Sequence, residues 1–241
     1  MINNIRFKFI ILNFIFITIW QQSTYAQLNY QIKGSVDNSV FFHQDFSIKD
    51  GDLITLEFIN IKRIDSAIVL DGKFYFNGNV DIPSVATINY NNGGFLLLID
   101  ESSYNVILKV VEVAADRYSY DNINVETKSK FYNLWRTLNL QKGNLMTTKK
   151  EIQSLLKEDL IEAERNSYLS ELEEIDIKLS KLYKDASIKY NSSYEMTYLL
   201  PAAPDFSYTR YIDFYNQLPL DIKNSFYGKN FYNRLIQTKT K

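Results

Sequence analysis

No cysteine occurs among the 241 residues, and histidine occurs once. Without a thiolate the chain can carry no disulfide, no cysteine nucleophile, no thiolate zinc site and no iron–sulfur cluster. A single imidazole leaves little histidine chemistry either. An excess of one charge is also missing, because 27 Lys+Arg stand against 28 Asp+Glu for a net charge of -1. Such a chain has no long-range field to gather phosphate backbones, so nucleic-acid binding is not expected. The apolar run from Phe9 to Trp20, interrupted by Asn13 and Thr18, covers ~18 Å as a helix, against about 30 Å of hydrocarbon in a membrane. What the chain has in quantity is aromatic: 18 Tyr and 16 Phe, in a composition that is 46% hydrophobic and 23% charged. Charges of mixed sign with that much apolar area describe a globular protein and not a disordered one.

The short apolar run has a second meaning. Arg6 and Lys8 precede it, a polar stretch ending at Tyr25 follows it, and Ala26 offers a small residue for cleavage. This is the order of a secretory signal peptide, so residues 1–26 are expected to be removed, leaving no membrane span. The leader takes two basic side chains and no acidic one, and the mature chain is mildly acidic. A periplasmic or secreted location is expected. Disulfides persist there, yet this chain has none, so its stability must rest on its core. Lipid attachment at a cysteine beside the cleavage site is excluded as well.

The mature chain shows two periods. Over residues 28–111 apolar and polar residues alternate with period two, which predicts antiparallel strands at 28–36, 40–43, 53–60, 64–70, 74–80, 85–90, 95–99 and 104–111. Ile64, Ser66, Ile68 and Leu70 share one strand face. Asp71-Gly72 suits the two positive φ angles of a type I′ turn, and Phe74 and Phe76 return on the partner strand. Asn77-Gly78 reads as a bulge or strand end. Beyond a polar stretch at 115–124 the period becomes about 3.6, and the pattern predicts helices. Phe131, Leu134, Trp135 and Leu138 share a face, and Lys142-Gly143-Asn144 reads as a stop. Thr147 or Thr148 would cap a long helix over about 148–190. Tyr168, Leu172, Ile175, Leu179, Leu182 and Ala186 form an a/d seam on it. That seam serves either a homodimer coiled coil or, more simply, packing against the preceding helix. Short helices broken at Pro201, Pro204 and Pro219 complete the chain. The fold class is α+β: an antiparallel β-sandwich of immunoglobulin-like proportions over 27–114, then a helical hairpin or bundle over 115–241.

The residues Ile64-Asp65-Ser66-Ala67, Asp71-Gly72-Lys73-Phe74-Tyr75-Phe76-Asn77-Gly78 and Pro83 resemble a known arrangement. It is the domain of unknown function 4369 at the N-terminus of many secreted bacterial thiol-disulfide oxidoreductases of the TlpA type. The later segments Tyr190-Asn191-Ser192-Ser193-Tyr194, Tyr215-Asn216-Gln217-Leu218 and Lys223-Asn224-Ser225-Phe226-Tyr227-Gly228-Lys229 are similar to the helical linker of that family. The resemblance implies an exchange reaction carried by a following thioredoxin-fold domain with Cys-x-x-Cys. The chain ends at Lys241, where that domain would start, and a disulfide exchange needs paired thiols that this chain lacks. The family's activity is therefore not expected here, although a separate thioredoxin-like protein is an implied partner.

Individual residues offer little chemistry. His43 has no orienting partner in sequence, Asp71 serves turn chemistry, and Asp65 reads as part of a polar sheet face. Glu173, Glu174 and Asp176 read as solvated helix surface. Asn91-Asn92-Gly93-Gly94 lacks the following Lys-Ser/Thr helix of a phosphate loop, and Asn191-Ser192-Ser193 matches a glycosylation acceptor pattern that means little in a bacterial-looking export context. No catalytic, metal or cofactor site is assigned, and a carboxylate hydrolase is the weakest alternative. Tyr118, Tyr120, Tyr208, Tyr211 and Tyr215 lie in polar segments, where amphipathic rings anchor protein partners or stack on sugars. The expected function is a non-catalytic exported interaction or scaffold module that binds a protein, with a glycan- or peptide-binding accessory protein as the alternative.

Overall fold

The computed structural model describes residues 27–37, 48–90, 93–109, 111–114, 117–119 and 124–239; for 109, 111–114 and 117–119 it describes the backbone alone. The expected leader, His43 and the strand expected at 40–43 lie outside these residues. Alternating sequence produces β1 (Leu28–Asp37), β2 (Leu53–Phe58), β3 (Arg63–Ile68), β4 (Lys73–Val80), β5 (Ser84–Tyr90), β6 (Gly93–Ile99) and β7 (Ser103–Lys109). Three short strands follow: β8 (Val111–Ala114), β9 (Arg117–Ser119) and β10 (Asn124–Thr127). Sheet A has the order β10-β7-β1-β4 and sheet B the order β3-β2-β5-β6, while β8 and β9 form a separate ribbon. All pairings are antiparallel except β1 with β7, which run parallel. The inward residues of both sheets, among them Ile32, Phe74, Phe76, Tyr104, Ile54, Leu56, Ile88 and Leu97, make one shared core.

The two residues of the predicted turn do take positive φ, 49° at Asp71 and 66° at Gly72. Leu70 and Lys73 exchange both backbone hydrogen bonds around them, at 2.8 and 2.9 Å. The strands it joins nevertheless part: β3 pairs with β2 in sheet B and β4 with β1 in sheet A. The turn is a corner that carries the chain across the sandwich, and the expected hairpin does not extend past it. The Asp50 carboxylate fixes this corner by accepting from the N–H groups of Asp71 (3.0 Å) and Gly72 (2.9 Å). Asn77-Gly78 is neither a bulge nor an end, since both pair regularly with Gln31 and Tyr30. Gly78 instead leaves room for Arg63 and the Tyr30 hydroxyl, which a Cβ there would meet at 2.6 and 2.8 Å. Strand β9 lies within the stretch 115–124 that reads in sequence as a polar linker, and β10 begins at its last residue.

Six α-helices follow: α1 (Lys130–Leu155), α2 (Glu162–Lys189), α3 (Tyr194–Leu199), α4 (Tyr208–Gln217), α5 (Leu220–Asn224) and α6 (Phe226–Gln237). Two expectations fail here. Helix α1 runs through Gly143 without stopping, and Thr148 is no cap but bonds back to the Asn144 carbonyl in mid-helix (3.2 Å). The long helix over 148–190 is divided at residues 156–161, where the chain reverses. Lys142 then lies over the Tyr183 ring (5.9 Å) and Lys149 pairs with Asp176 (2.5 Å), so α1 and α2 are antiparallel. Packing decides both points. A mid-helix glycine costs about 1 kcal/mol, whereas each Leu or Ile buried contributes about 1.5–3 kcal/mol. Ile152, Ile175 and Leu179 are buried in a small core of their own, joined by Leu145, Leu156, Tyr168 and Leu172. A continuous helix would have carried the seam away from α1. It is instead covered within the same chain.

Helix α1 is fastened to the sandwich at its start. Ser129 caps it by accepting from the Tyr132 N–H (3.0 Å) and donates to the Asp100 carboxylate at the end of β6 (2.8 Å). Buried Tyr104 donates to the same carboxylate (2.9 Å) and accepts from the Asp100 N–H (2.8 Å). Burial pushes the Tyr104 hydroxyl pKa far up, and the Asp100 charge adds to the shift. The C-terminal helices are tied in by Tyr227 of α6, whose hydroxyl accepts from the Val85 N–H in β5 (2.8 Å).

Candidate functional site

Two surfaces of the sandwich combine side chains in ways the core does not require. The first is the outer face of sheet A. Period two turns Asn29, Gln31, Asn77, Asn79 and Asn105 to one side, and the register places Gln31 between Asn77 and Ser103, with Glu126 beside Asn105. These residues line an open groove of about 1100 Å³. The Gln31 amide donates to the Tyr75 hydroxyl, and the Asn79 amide donates to Gln27 (2.9 Å). A field of neutral amides can donate to and accept from uncharged polar groups alike.

The second surface is β3, an edge strand of sheet B. Apart from Ser66 its outward residues are apolar: Ile64 is 65% exposed, Ile68 56% and the adjoining Leu70 66%, with Leu53 of β2 at 56% directly beside Ile68. Its inward residues include the charged ones. Arg63 grips Asp65 with two bonds (Nε to Oδ1 2.8 Å, Nη2 to Oδ2 2.6 Å), donates to the Asn79 carbonyl of β4 (2.7 Å) and lies over the Phe58 ring. Tyr30 of β1 donates to Asp65 Oδ2 (2.7 Å). Partial burial alone would raise the Asp65 carboxyl pKa, but the hydrogen bonds from Arg63 and Tyr30 outweigh it and hold it below the usual range. Burial, and then the bond to Asp65, pushes the Tyr30 hydroxyl pKa up. Asp65 is thus not part of a polar outer face. It locks the edges of the two sheets together.

Residues 30–128 match the family described as Domain of unknown function (DUF4369). The match spans the sandwich and ends at the residue before the Ser129 cap, so it leaves the helices aside. No curated protein and no solved structure matches the chain.

Of the five tyrosines singled out in the sequence, the three whose side chains are described lie against the packing of the C-terminal helices. Tyr211 is 2% exposed, bonded to Asp205 and stacked on Phe206, and is not available to a partner. Tyr208 and Tyr215 are half-buried; Tyr215 stacks on Phe231 and Tyr232 around the α6 core. Of Tyr118 only the backbone in β9 is described, and Tyr120 lies outside the described residues. The spacing 208, 211, 215 is the signal that could have told, because it is one face of a helix and therefore a core stripe. Other candidates are also absorbed by structure. Asp176 pairs with Lys149 and Glu174 with Lys178, while Ser193 of the glycosylation pattern caps α3. Among the described residues no group of His, Asp and Glu could hold a metal ion, and no helix is long and apolar enough to cross a membrane.

Proposed function

We propose that the protein is an exported, non-catalytic interaction module whose sandwich docks a protein chain on the open edge of sheet B. The observation that carries this reading is β3, where apolar side chains face solvent on a strand whose outer edge is unpaired among the described residues. Natural edges are blunted by charge, shortness or cover. Here β10 is four residues long with Glu126 exposed, β4 presents Asn77 and Asn79, and α1 packs against β6. Strand β3 turns its charges, Arg63 and Asp65, inward, where they are spent on each other, Tyr30 and Asn79. Its outward side chains are Ile64, Ser66 and Ile68, and among the described residues nothing bonds its outer edge. Such an edge receives an extended segment by strand addition. The strongly shifted hydroxyls of Tyr30, Tyr104 and Tyr227 serve as joints between elements, which favours a structural role over catalysis. A thioredoxin-like protein, implied by the family resemblance, is one candidate donor of the segment.

Capture from a periplasmic extract on the immobilised mature protein, beside the Ile64→Lys/Ile68→Lys variant, tests this. A saturable protein held by the first and lost by the second is expected. Equal retention by both, or no saturable protein at all, overturns it. The groove on sheet A supports a second reading. Its neutral amides suit a hydroxyl-rich glycan, and saturable binding of neutral oligosaccharides that Asn77→Ala/Asn105→Ala abolishes would establish it.

A further inference from the structure

We infer that the chain docking on β3 is a second copy of the protein, paired edge to edge about a twofold axis at Ser66. This rests on β3 being the contact surface, and it names the occupant.

Backbone alternation supplies the first argument. Val69 N–H donates to the Asp52 carbonyl (3.0 Å) and Ile59 N–H to the Val85 carbonyl (2.8 Å). These two bonds fix the parity of sheet B, because in an antiparallel ladder alternate residues face alternate neighbours. In β3 the odd residues turn their N–H and C=O groups to β2. Ile64, Ser66 and Ile68 turn theirs outward, and among the described residues nothing bonds them. Leu70 has the same parity, but its groups are spent on Lys73. The edge therefore offers three residues whose donors and acceptors are free among the described residues, and two of them, Ile64 and Ile68, carry exposed apolar side chains.

Self-complementarity supplies the second. Antiparallel pairing of two β3 strands about Ser66 sets Ile64 of one copy opposite Ile68 of the other, twice, with Ser66 opposite itself. All three residues on each side then exchange both bonds. On the outer face, Leu53 and Ile68 of one copy continue into Ile64 of the other, making an unbroken apolar strip across the seam. On the inner face, Asp65 meets Ala67. Neighbouring registers fail on charge or on bonding. An axis at Asp65 opposes two carboxylates, and like charges directly opposite are unfavourable. An axis at Ala67 requires the Leu70 groups already used in the corner.

An interface built on one six-residue strand and its apolar margin falls below the ~800 Å² per partner of a standard complex, so the dimer should dissociate on dilution. Sedimentation of the mature chain over a wide range of concentrations is expected to show monomer passing to dimer. Ile64→Lys should weaken the dimer by about tenfold or more, with circular dichroism unchanged as the check on folding. The cysteine-free background allows a positional test. Directly opposed residues of a hydrogen-bonded pair stand about 5.5 Å apart at Cα, within disulfide range. Ser66→Cys should therefore give a disulfide-linked dimer under mild oxidation, while Thr55→Cys, on the same face of the next strand inward, should not. A chain that stays monomeric at all concentrations, or cross-linking that is equal at both positions, overturns the proposal. If another protein is still captured in an Ile64-dependent way, the open-edge reading survives that failure; if capture is also lost, both fall.

Discussion

The Tyr227 hydroxyl joins the last helix to a strand 142 residues earlier in sequence, and removing it should be felt by both halves. Tyr227 is 3% exposed and Val85 fully buried. In Tyr227→Phe the ring keeps its contacts with Tyr198 and Phe226, so no cavity forms and little transfer energy is lost. What changes is the Val85 N–H, which loses its acceptor in a place without water. Leaving a buried donor unsatisfied costs about 1–3 kcal/mol. For a chain of this size each kcal/mol lowers Tm by about 2–4 °C, which puts the expected fall between about 2 and 12 °C. Urea unfolding followed by far-UV circular dichroism should show a lower midpoint with an unchanged slope, because the exposed surface does not alter. Hydrogen exchange should find the Val85 amide faster in the variant. Tyr232→Phe, on the exposed side of the same helix, should change stability by less than about 0.5 kcal/mol. An unmoved midpoint together with unaltered protection at Val85 would refute the account of this joint.

Three other outcomes follow from the same geometry. Gly228→Ala should destabilise by about 3 kcal/mol or more, read by urea unfolding, because its Cβ would collide with the Ile222 carbonyl, a backbone atom that cannot yield without separating α5 from α6. Gly34→Ala should cost about 1–3 kcal/mol, since the Phe74 ring covers that glycine across the β1–β4 pair; Phe74→Leu in the same chain should recover part of the loss. Acid titration should separate wild type from Asp65→Asn. The folded carboxyl pKa is depressed, so its contribution is full above the unfolded value of about 3.9 and disappears as pH falls through the folded value. The stability difference between the two proteins should therefore be constant near neutrality and shrink at the acid end; a difference that grew with acidification would contradict it.

Much of the sandwich was legible because alternation is a local property: seven strands lie where period two predicts them, and Asp71-Gly72 turns as its residue types require. The parting of β3 and β4 into different sheets was not legible, since a two-residue turn looks the same whether its strands stay paired or diverge. The helical half was misread at Gly143 and at residues 156–161 for a related reason. Punctuation by glycine is worth about 1 kcal/mol, and the cluster of Ile152, Ile175 and Leu179 outweighs it, but that cluster exists only once the hairpin has closed. Tyr208, Tyr211 and Tyr215 were set on the surface by the polarity of their neighbours, although their helical spacing already marked a buried face.

The residues that carried the family resemblance are ones this fold needs for itself. Asp71-Gly72 makes the corner, Phe74 and Phe76 fill the core, Gly78 admits Arg63, and Asp65 closes the lock between β3, β1 and β4. Shared motifs of this kind mark an architecture and say little about a ligand. The informative departure lies in the orientation of β3. An alternating strand ordinarily sends its apolar half to the core, yet here Ile64, Ile68 and Leu70 face outward while Arg63 and Asp65 face in. Reversing the strand would bury two isoleucines, at about 1.5–3 kcal/mol each, but would release a bidentate ion pair with bonds to Tyr30 and Asn79. The arrangement holds its charged groups satisfied and leaves its isoleucines in water, on an edge whose free donors and acceptors belong to the same residues. Burial against another chain recovers the apolar gain without breaking the lock, and the reversed strand is for that reason where binding energy remains available.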